Sequence, residues 1–307
     1  MTKPINVVII DYPDALQSAV QGLKELFLLA NQIVIDNQLD MQFIVSVVQP
    51  DSALSSINQS DIVILPPNLS GHYYNAPQAA LLTFLNDAHQ AGSILCSVCA
   101  GAFILAKTGL LDNRAATTHW QLADEFNQQF PAVSLKIDRL LINDGDIISA
   151  GGLMSWIDLG LEIVAQFTRP HIMRALGKYL IVDTGKREQR YYGSFTPKFN
   201  HGNQAILQVQ HYIQANYNQA LNIALLADLA CMTERTFLRQ FTNATSLKPV
   251  QYIQRVRVQK ACQLLESTTQ RFEQIALNIG YDDVNSFRKV FIKIIGLSPS
   301  AFKARFV

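Results

Sequence analysis

Cys99 stands in the run Ser97-Val98-Cys99-Ala100-Gly101-Ala102, between a short apolar stretch and a helical one. A strand, a sharp turn and a helix in that order lift a nucleophile to the carboxyl edge of a sheet. The helix N-terminus behind the thiol offers N–H groups and a partial positive charge, which would lower its pKa. With a histidine base and a carboxylate to orient it, such a thiol could add to a carbonyl or hydrolyse an amide. A second set of residues suits a different task. Leu226-Ala227-Asp228-Leu229-Ala230-Cys231-Met232 is echoed 49 residues later by Ile275-Ala276-Leu277-Asn278-Ile279-Gly280-Tyr281. A polar turn follows each copy, and then a helix with aromatic and basic residues, Phe237-Leu238-Arg239-Gln240-Phe241 and Phe287-Arg288-Lys289-Val290-Phe291. The tails also match, Ser246-Leu247-Lys248-Pro249 and Gly296-Leu297-Ser298-Pro299. Helix, tight turn and basic second helix is the unit that lays a helix in the major groove of DNA. Arg can fork onto guanine, Asn can pair with adenine, and Lys neutralises phosphate.

These residues need elements to hold them. In a chain of 307 residues, long enough for two domains, strand candidates fall at residues 5–11, 43–48, 61–65, 93–97 and 147–150. They are rich in Val and Ile without strict alternation, as expected of strands covered on both faces. Helical patterns lie between and after them, at 15–30, 78–91, 120–129, 153–167 and 171–179. The alternation predicts an α/β fold with a doubly wound, mostly parallel sheet over residues 1–183. Residues 184–204 are polar, carry Gly185, Gly193, Pro197 and Gly202, and read as a linker. Only helical patterns follow in 205–307, at 205–217, 223–230, 234–243, 249–267, 272–279, 284–295 and 299–305. This is an all-α domain with two helix-turn-helix units joined by the long helix 249–267. Leu229 and Ile279, Phe237 and Phe287, and Phe241 and Phe291 are its expected core pairs.

The net charge of +1 hides an asymmetry. Residues 1–204 carry 13 basic against 18 acidic side chains, and 205–307 carry 12 against 6. The basic third is suited to a polyanion. Hydrophobic residues at 49% and charged ones at 16% exclude a disordered chain. No apolar run is long enough to span a bilayer, and no secretory or transit pattern precedes the first strand. Four cysteines, Cys96, Cys99, Cys231 and Cys262, are too few and too uneven for a disulfide framework, so a reduced, cytoplasmic protein is expected. Cys96 and Cys99 form a C-x-x-C, but Cys96 lies in a buried strand. His72, His89, His171, His201 and His211 show no ligand spacing, and there is no G-x-G-x-x-G or P-loop, so neither a metal nor a cofactor is expected. Trp120 and Trp156 read as core.

Residues 233–241 resemble the first recognition helix of the AraC/XylS family of transcription regulators, and 275–299 resemble that family's second unit. By that resemblance Arg235, Thr236, Leu238 and Arg239 would face DNA from the first helix, and Val284, Asn285, Arg288 and Lys289 from the second. Cys231 and Ser246 stand where glycine is expected; positive φ at either would cost about 1 kcal/mol. Residues 105–120, with His119 near their end, resemble the segment after the elbow in the PfpI branch of class I glutamine-amidotransferase-like proteins. That resemblance continues through Gly152, Asp158, Leu161 and Arg174 to residues 179–183. The helix Gly22-Leu23-Lys24-Glu25-Leu26-Phe27 resembles one that presents a carboxylate to the cysteine. The implied fold is flavodoxin-like, and the implied pocket contains Cys99, Ala100, His119 and Glu25, with Tyr73 on a nearby loop. Pro66-Pro67 replaces a glycine pair and removes an N–H that an oxyanion hole would use. These features imply a regulator of promoter DNA, dimeric through its sensor domain, that binds a small-molecule effector (an amino acid or amine is one class) and adjusts contact with RNA polymerase. Two alternatives are a cysteine-dependent amidase or glyoxalase-like enzyme tethered to DNA, and a redox sensor built on Cys99.

Overall fold

Contiguous Val/Ile runs form one six-stranded sheet in the order β2-β1-β3-β4-β8-β7. Its strands are β1 (Lys3–Ile10), β2 (Met41–Val48), β3 (Ile62–Leu65), β4 (Ile94–Val98), β7 (Leu141–Asn143) and β8 (Ile147–Ala150). Neighbours are parallel except β7, which runs antiparallel to β8. A two-stranded sheet pairs β5 (Ala115–Ala116) with β6 (Ser134–Leu135). This computed structural model describes residues 3–51, 54, 57, 59–185 and 188–307. Residues 186 and 187 of the expected linker, and 1, 2, 52, 53, 55, 56 and 58 of the expected first domain, lie outside them.

The helices of this unit are α1 (Gln17–Asp36), α2 (Ala79–Gln90), α3 (Gly101–Ala106) and α4 (Ala123–Gln129), which lie between strands, and α5 (Trp156–Phe167) and α6 (Pro170–Leu180), which follow the last strand. The apolar stripe of α1 (Ala19, Val20, Leu23, Leu26, Phe27, Ala30) is buried, and its helix runs six residues beyond the expected end. Asn31 explains the extension. Its buried amide donates to the Phe43 carbonyl and accepts from the Phe43 N–H, both at 2.8 Å, so a polar residue sits inside the apolar stripe. The strands deliver Tyr12, Pro66 and Cys99 to the same carboxyl edge, where ligands of open α/β sheets bind.

The chain divides into two compact units, Met1–Gln189 and Arg190–Val307. The second contains α7 (Gln204–Ala215), α8 (Ile223–Leu229), α9 (Glu234–Thr245), α10 (Pro249–Ser267), α11 (Phe272–Asn278), α12 (Val284–Ile295) and α13 (Pro299–Phe306). It has two cores. One joins Ile206, Val209, Ile213, Leu226, Phe237, Phe241 and Tyr252; the other joins Phe272, Ile275, Ile279, Phe287, Phe291 and Phe302. Helix α10 serves both, with Tyr252 to Val256 in the first and Val258 to Leu265 in the second. Five of the six expected core positions are fully buried; Leu229 is only half-buried, at the end of α8 where the chain turns outward. Among the described residues no helix is long and apolar enough to cross a membrane.

Candidate functional site

At the elbow, Cys99 follows β4 with φ of 53°, a left-handed conformation that side chains rarely adopt. Its backbone is fully engaged: the N–H donates to Ala150 O at 2.8 Å, and the carbonyl accepts Thr118 Oγ1 at 2.7 Å. Gly101 permits the turn, because a Cβ there would stand 2.7 Å from Leu65 O and 3.0 Å from Pro66 O. The elbow geometry is therefore real. The expected thiol chemistry is not. Cys99 is only 5% exposed, and burial pushes its pKa up to about 12 although the Ala100 N–H pulls it down. The thiol is therefore protonated at pH 7. Desolvation outweighs the turn of helix behind it, and Tyr12 and Tyr74, both buried, lie near the thiol.

The implied partners do not assemble around the thiol. Glu25 is exposed on the face of α1 opposite the buried stripe, eight residues and about 12 Å along the helix from its start at the carboxyl edge. It is not a pocket residue. His119 is half-buried and its pKa is lowered by burial, so it is neutral near pH 7. Its Nδ1 accepts the Gln121 N–H at 3.2 Å, which leaves the ring proton on Nε2 and no free acceptor for a thiol proton. Among the described residues no hydrogen bond links Cys99 to His119 or Glu25. Pro66 and Pro67 are buried, and their carbonyls accept from Tyr12 Oη at 2.5 Å and from the Leu16 N–H at 2.7 Å. Tyr73 does lie at this edge, stacked on Tyr12 at 5.5 Å. Tyr74 belongs to the loop His72-Tyr73-Tyr74 that the sequence places after a strand end. Tyr12 is the edge residue that motif spacing missed, and its position just beyond a strand's carboxyl end was the available signal. Cys96 is fully buried with its pKa raised by desolvation, and all four cysteines are free thiols. A separate cavity of about 740 Å³ lies at the opposite, amino edge, lined by Leu54, Asp61, Ala80, Phe84, Asp87 and Ser93 among others.

In the helical unit, α9 and α12 are each 12 residues long and each is capped, by Thr233 Oγ1 to the Thr236 N–H at 3.4 Å and by Asp283 Oδ1 to the Asn285 N–H at 2.9 Å. Ser286 Oγ and the Asn285 N–H lower the Asp283 pKa, which keeps the cap ionised. Phe237 and Phe241, and Phe287 and Phe291, turn one face of each helix inward. Arg235, Leu238 and Arg239 are exposed on the other face of α9, with Thr236 half-buried. On α12, Asn285 and Lys289 are exposed and Val284 is half-buried. Arg288 differs from the rest: it pairs with Glu273 at 3.1 Å and lies over the Phe272 ring at 5.1 Å.

Two family models match. One is a helix-turn-helix domain over residues 226–305, and the other is the DJ-1/PfpI family over residues 31–166. The HTH-type transcriptional regulator CdhR of Pseudomonas aeruginosa is 26% identical over 258 residues, 84% of this chain and 76% of its own. The chain carries an AraC-type helix-turn-helix domain and an N-terminal DJ-1/PfpI domain, and its relatives are transcriptional regulators. GlxA of Rhizobium meliloti, another HTH-type transcriptional regulator, is 25% identical over 75% of this chain and 71% of its own. A solved chain from Vibrio parahaemolyticus matches the fold with a TM-score of 0.52 at 21% identity, covering 58% of this regulator and 100% of itself. The helical unit of the regulator is thus a double-stranded DNA-binding domain. Its relatives are named as regulators rather than enzymes.

Proposed function

We propose that this regulator works in the cytoplasm as a homodimer, binds promoter DNA through α9 and α12, and responds to a small molecule held by its DJ-1/PfpI domain. The observation that carries the DNA reading is the pair of capped helices with buried phenylalanines inward and Arg235, Arg239, Asn285 and Lys289 outward. Two such helices on one chain suit two successive major-groove segments, about 10–11 bp apart. Four would be presented by a dimer, and effector binding would alter their spacing and so their contact with RNA polymerase. DNA selected from a random pool by the full chain should carry two boxes at that spacing. A single box would oppose the reading.

The effector reading places a ligand against Cys99, Ala100, Tyr73 and His119 at the carboxyl edge, without Glu25. A protonated thiol and a neutral imidazole suit packing and hydrogen bonding better than covalent attack. Thermal shifts of wild type and Cys99→Ser against amino acids, amines and small aldehydes test it, with each hit recovered and checked for chemical change. A ligand weakened by Cys99→Ser and recovered intact supports an elbow pocket. One indifferent to that variant but lost in Ala80→Phe would move the site to the amino-edge cavity. One consumed by the wild type would make the elbow an active site.

A further inference from the structure

The chain enters the helical unit through residues 195–203, a polar stretch that reads as a free linker. The structure instead fastens it to the DNA-binding helices. Gln210 on α7 is fully buried and is the fastener. Its Nε2 donates to Lys198 O at 3.0 Å and to Tyr252 Oη at 3.2 Å, and its Oε1 meets His201 Nε2 at 2.7 Å. A backbone carbonyl can only accept, so the orientation of the amide is fixed. It follows that His201 donates from Nε2, and its Nδ1 accepts the Asn203 N–H at 3.2 Å. The network has one self-consistent arrangement of donors and acceptors.

Two routes lead from this strap to the first recognition helix. Asn203 caps α7 by accepting the Ile206 N–H with Oδ1, and its Nδ2 donates to Gln240 Oε1 on α9 at 2.9 Å. Phe195, held by its N–H to Gln259 Oε1 at 3.0 Å, packs edge-on against Tyr252 at 5.2 Å. Tyr252 packs edge-on against Phe241 of α9 at 5.3 Å. The routes therefore end on Gln240 and Phe241, the two residues that follow Arg239. Apolar packing alone would hold α9 without fixing its rotation, whereas directional hydrogen bonds select one. The hydrogen-bonded strap ends on α9, whereas α12 meets the entering chain at its C-terminal cap, where Arg190 and Tyr191 lie beside Gly296; the copies of the repeat are held differently.

We propose that Gln210 and Asn203 are positioning residues that set the first recognition helix on DNA. A displacement of the strap would then alter readout by α9 before that by α12. This rests on the reading that α9 contacts DNA, so the test includes Arg239→Ala. The probe is the sequence that the wild-type full chain selects from random DNA, together with its single-base variants. Gln210→Leu removes all three bonds of the fastener. Asn203→Ser retains the α7 cap but is too short to reach Gln240. Both variants should lose about fivefold or more of the base preference in the box that Arg239→Ala also weakens, with less than about a twofold change in the other box. Equal losses in both boxes, or undiminished preference in a folded variant, would overturn the proposal. Should Arg239→Ala spare both boxes, the assignment of α9 itself falls and the proposal with it. A loss with Arg239→Ala alone would retain α9 and dismiss the strap.

Discussion

The first helix-turn-helix unit carries two residues where its repeat carries glycine, and both occupy the left-handed region. Cys231 has φ of 53° against 86° at Gly280, and Ser246 has 59° against 86° at Gly296. Left-handed backbone costs an L side chain about 1–2 kcal/mol. Glycine gives back about 0.5–1 kcal/mol through the larger entropy of its unfolded chain. Because both side chains are exposed, little packing is lost, so Cys231→Gly and Ser246→Gly should each stabilise by about 0.5–1 kcal/mol. For a unit of roughly 118 residues the unfolding entropy is near 0.25 kcal/mol/K, which makes each gain about 2–4 °C. The converse changes should be harsher. A Cβ at Gly280 would meet the Asn218 carbonyl, and one at Gly296 would meet the Arg190 guanidinium and the Tyr191 ring, so Gly280→Ala and Gly296→Ala add a clash to the strain. Scanning calorimetry of the full chain, following the transition of the helical unit, measures all four. A lower melting temperature in Cys231→Gly, or an unchanged one in Gly280→Ala, would refute the reasoning.

Alkylation of the folded protein at pH 7 should reach the exposed Cys231 first and Cys99 only on unfolding; fast modification of Cys99 would contradict its burial. Burial also raises the Cys262 pKa, to about 12 from an ordinary value near 9. A raised thiol pKa gives stability that is complete below the unfolded value and lost as pH rises from about 9 to 12, so the helical unit should melt earlier in that window and Cys262→Ala should flatten the slope. Arg239→Ala should weaken specific DNA binding by about 1–3 kcal/mol, read by electrophoretic mobility shift, and unchanged binding would oppose its assignment. Glu273→Gln frees Arg288 and should tighten DNA binding, most clearly at low salt; weaker binding would mean that the pair orients Arg288 for DNA rather than withholding it.

How much of this was legible in the residues depended on where each determinant lies. The five longer strands showed themselves because both faces are covered and each is a local Val/Ile run. The helix-turn-helix units showed themselves because the pattern occurs twice. Strands β5, β6 and β7 are two or three residues long and exist only through pairing with a neighbour, so no local pattern marks them. The end of α1 was hidden by Asn31, whose partner Phe43 lies on another element. At the elbow, spacing revealed the backbone, the helix behind it and the Tyr73-Tyr74 loop, but not Tyr12 or the burial of the thiol. Glu25 matched a motif by order along the chain, yet its register on α1 turns it to solvent. The strap looked like a linker because hydropathy does not register hydrogen bonds, and its partners are a buried glutamine and the asparagine of a helix cap.

The strained cysteines sharpen what an elbow can be taken to mean. Cys99 and Cys231 share φ of 53°, one at a sheet edge and one in a helix-turn-helix turn. In each the backbone is held by hydrogen bonds that any side chain would retain: Cys99 N–H to Ala150 O at 2.8 Å, and Cys231 N–H to Asp228 O at 2.9 Å. Positive φ therefore reports the turn, and carries no information about the sulfur. Reactivity is decided separately, by what covers the thiol and what can take its proton. At Cys99 the thiol is buried, the His119 imidazole has no free acceptor, and Pro66 and Pro67 can offer no N–H to an oxyanion. An edge shaped for a nucleophile but without these supports keeps the backbone turn and loses the means of attack, which is why the turn alone does not identify an enzyme.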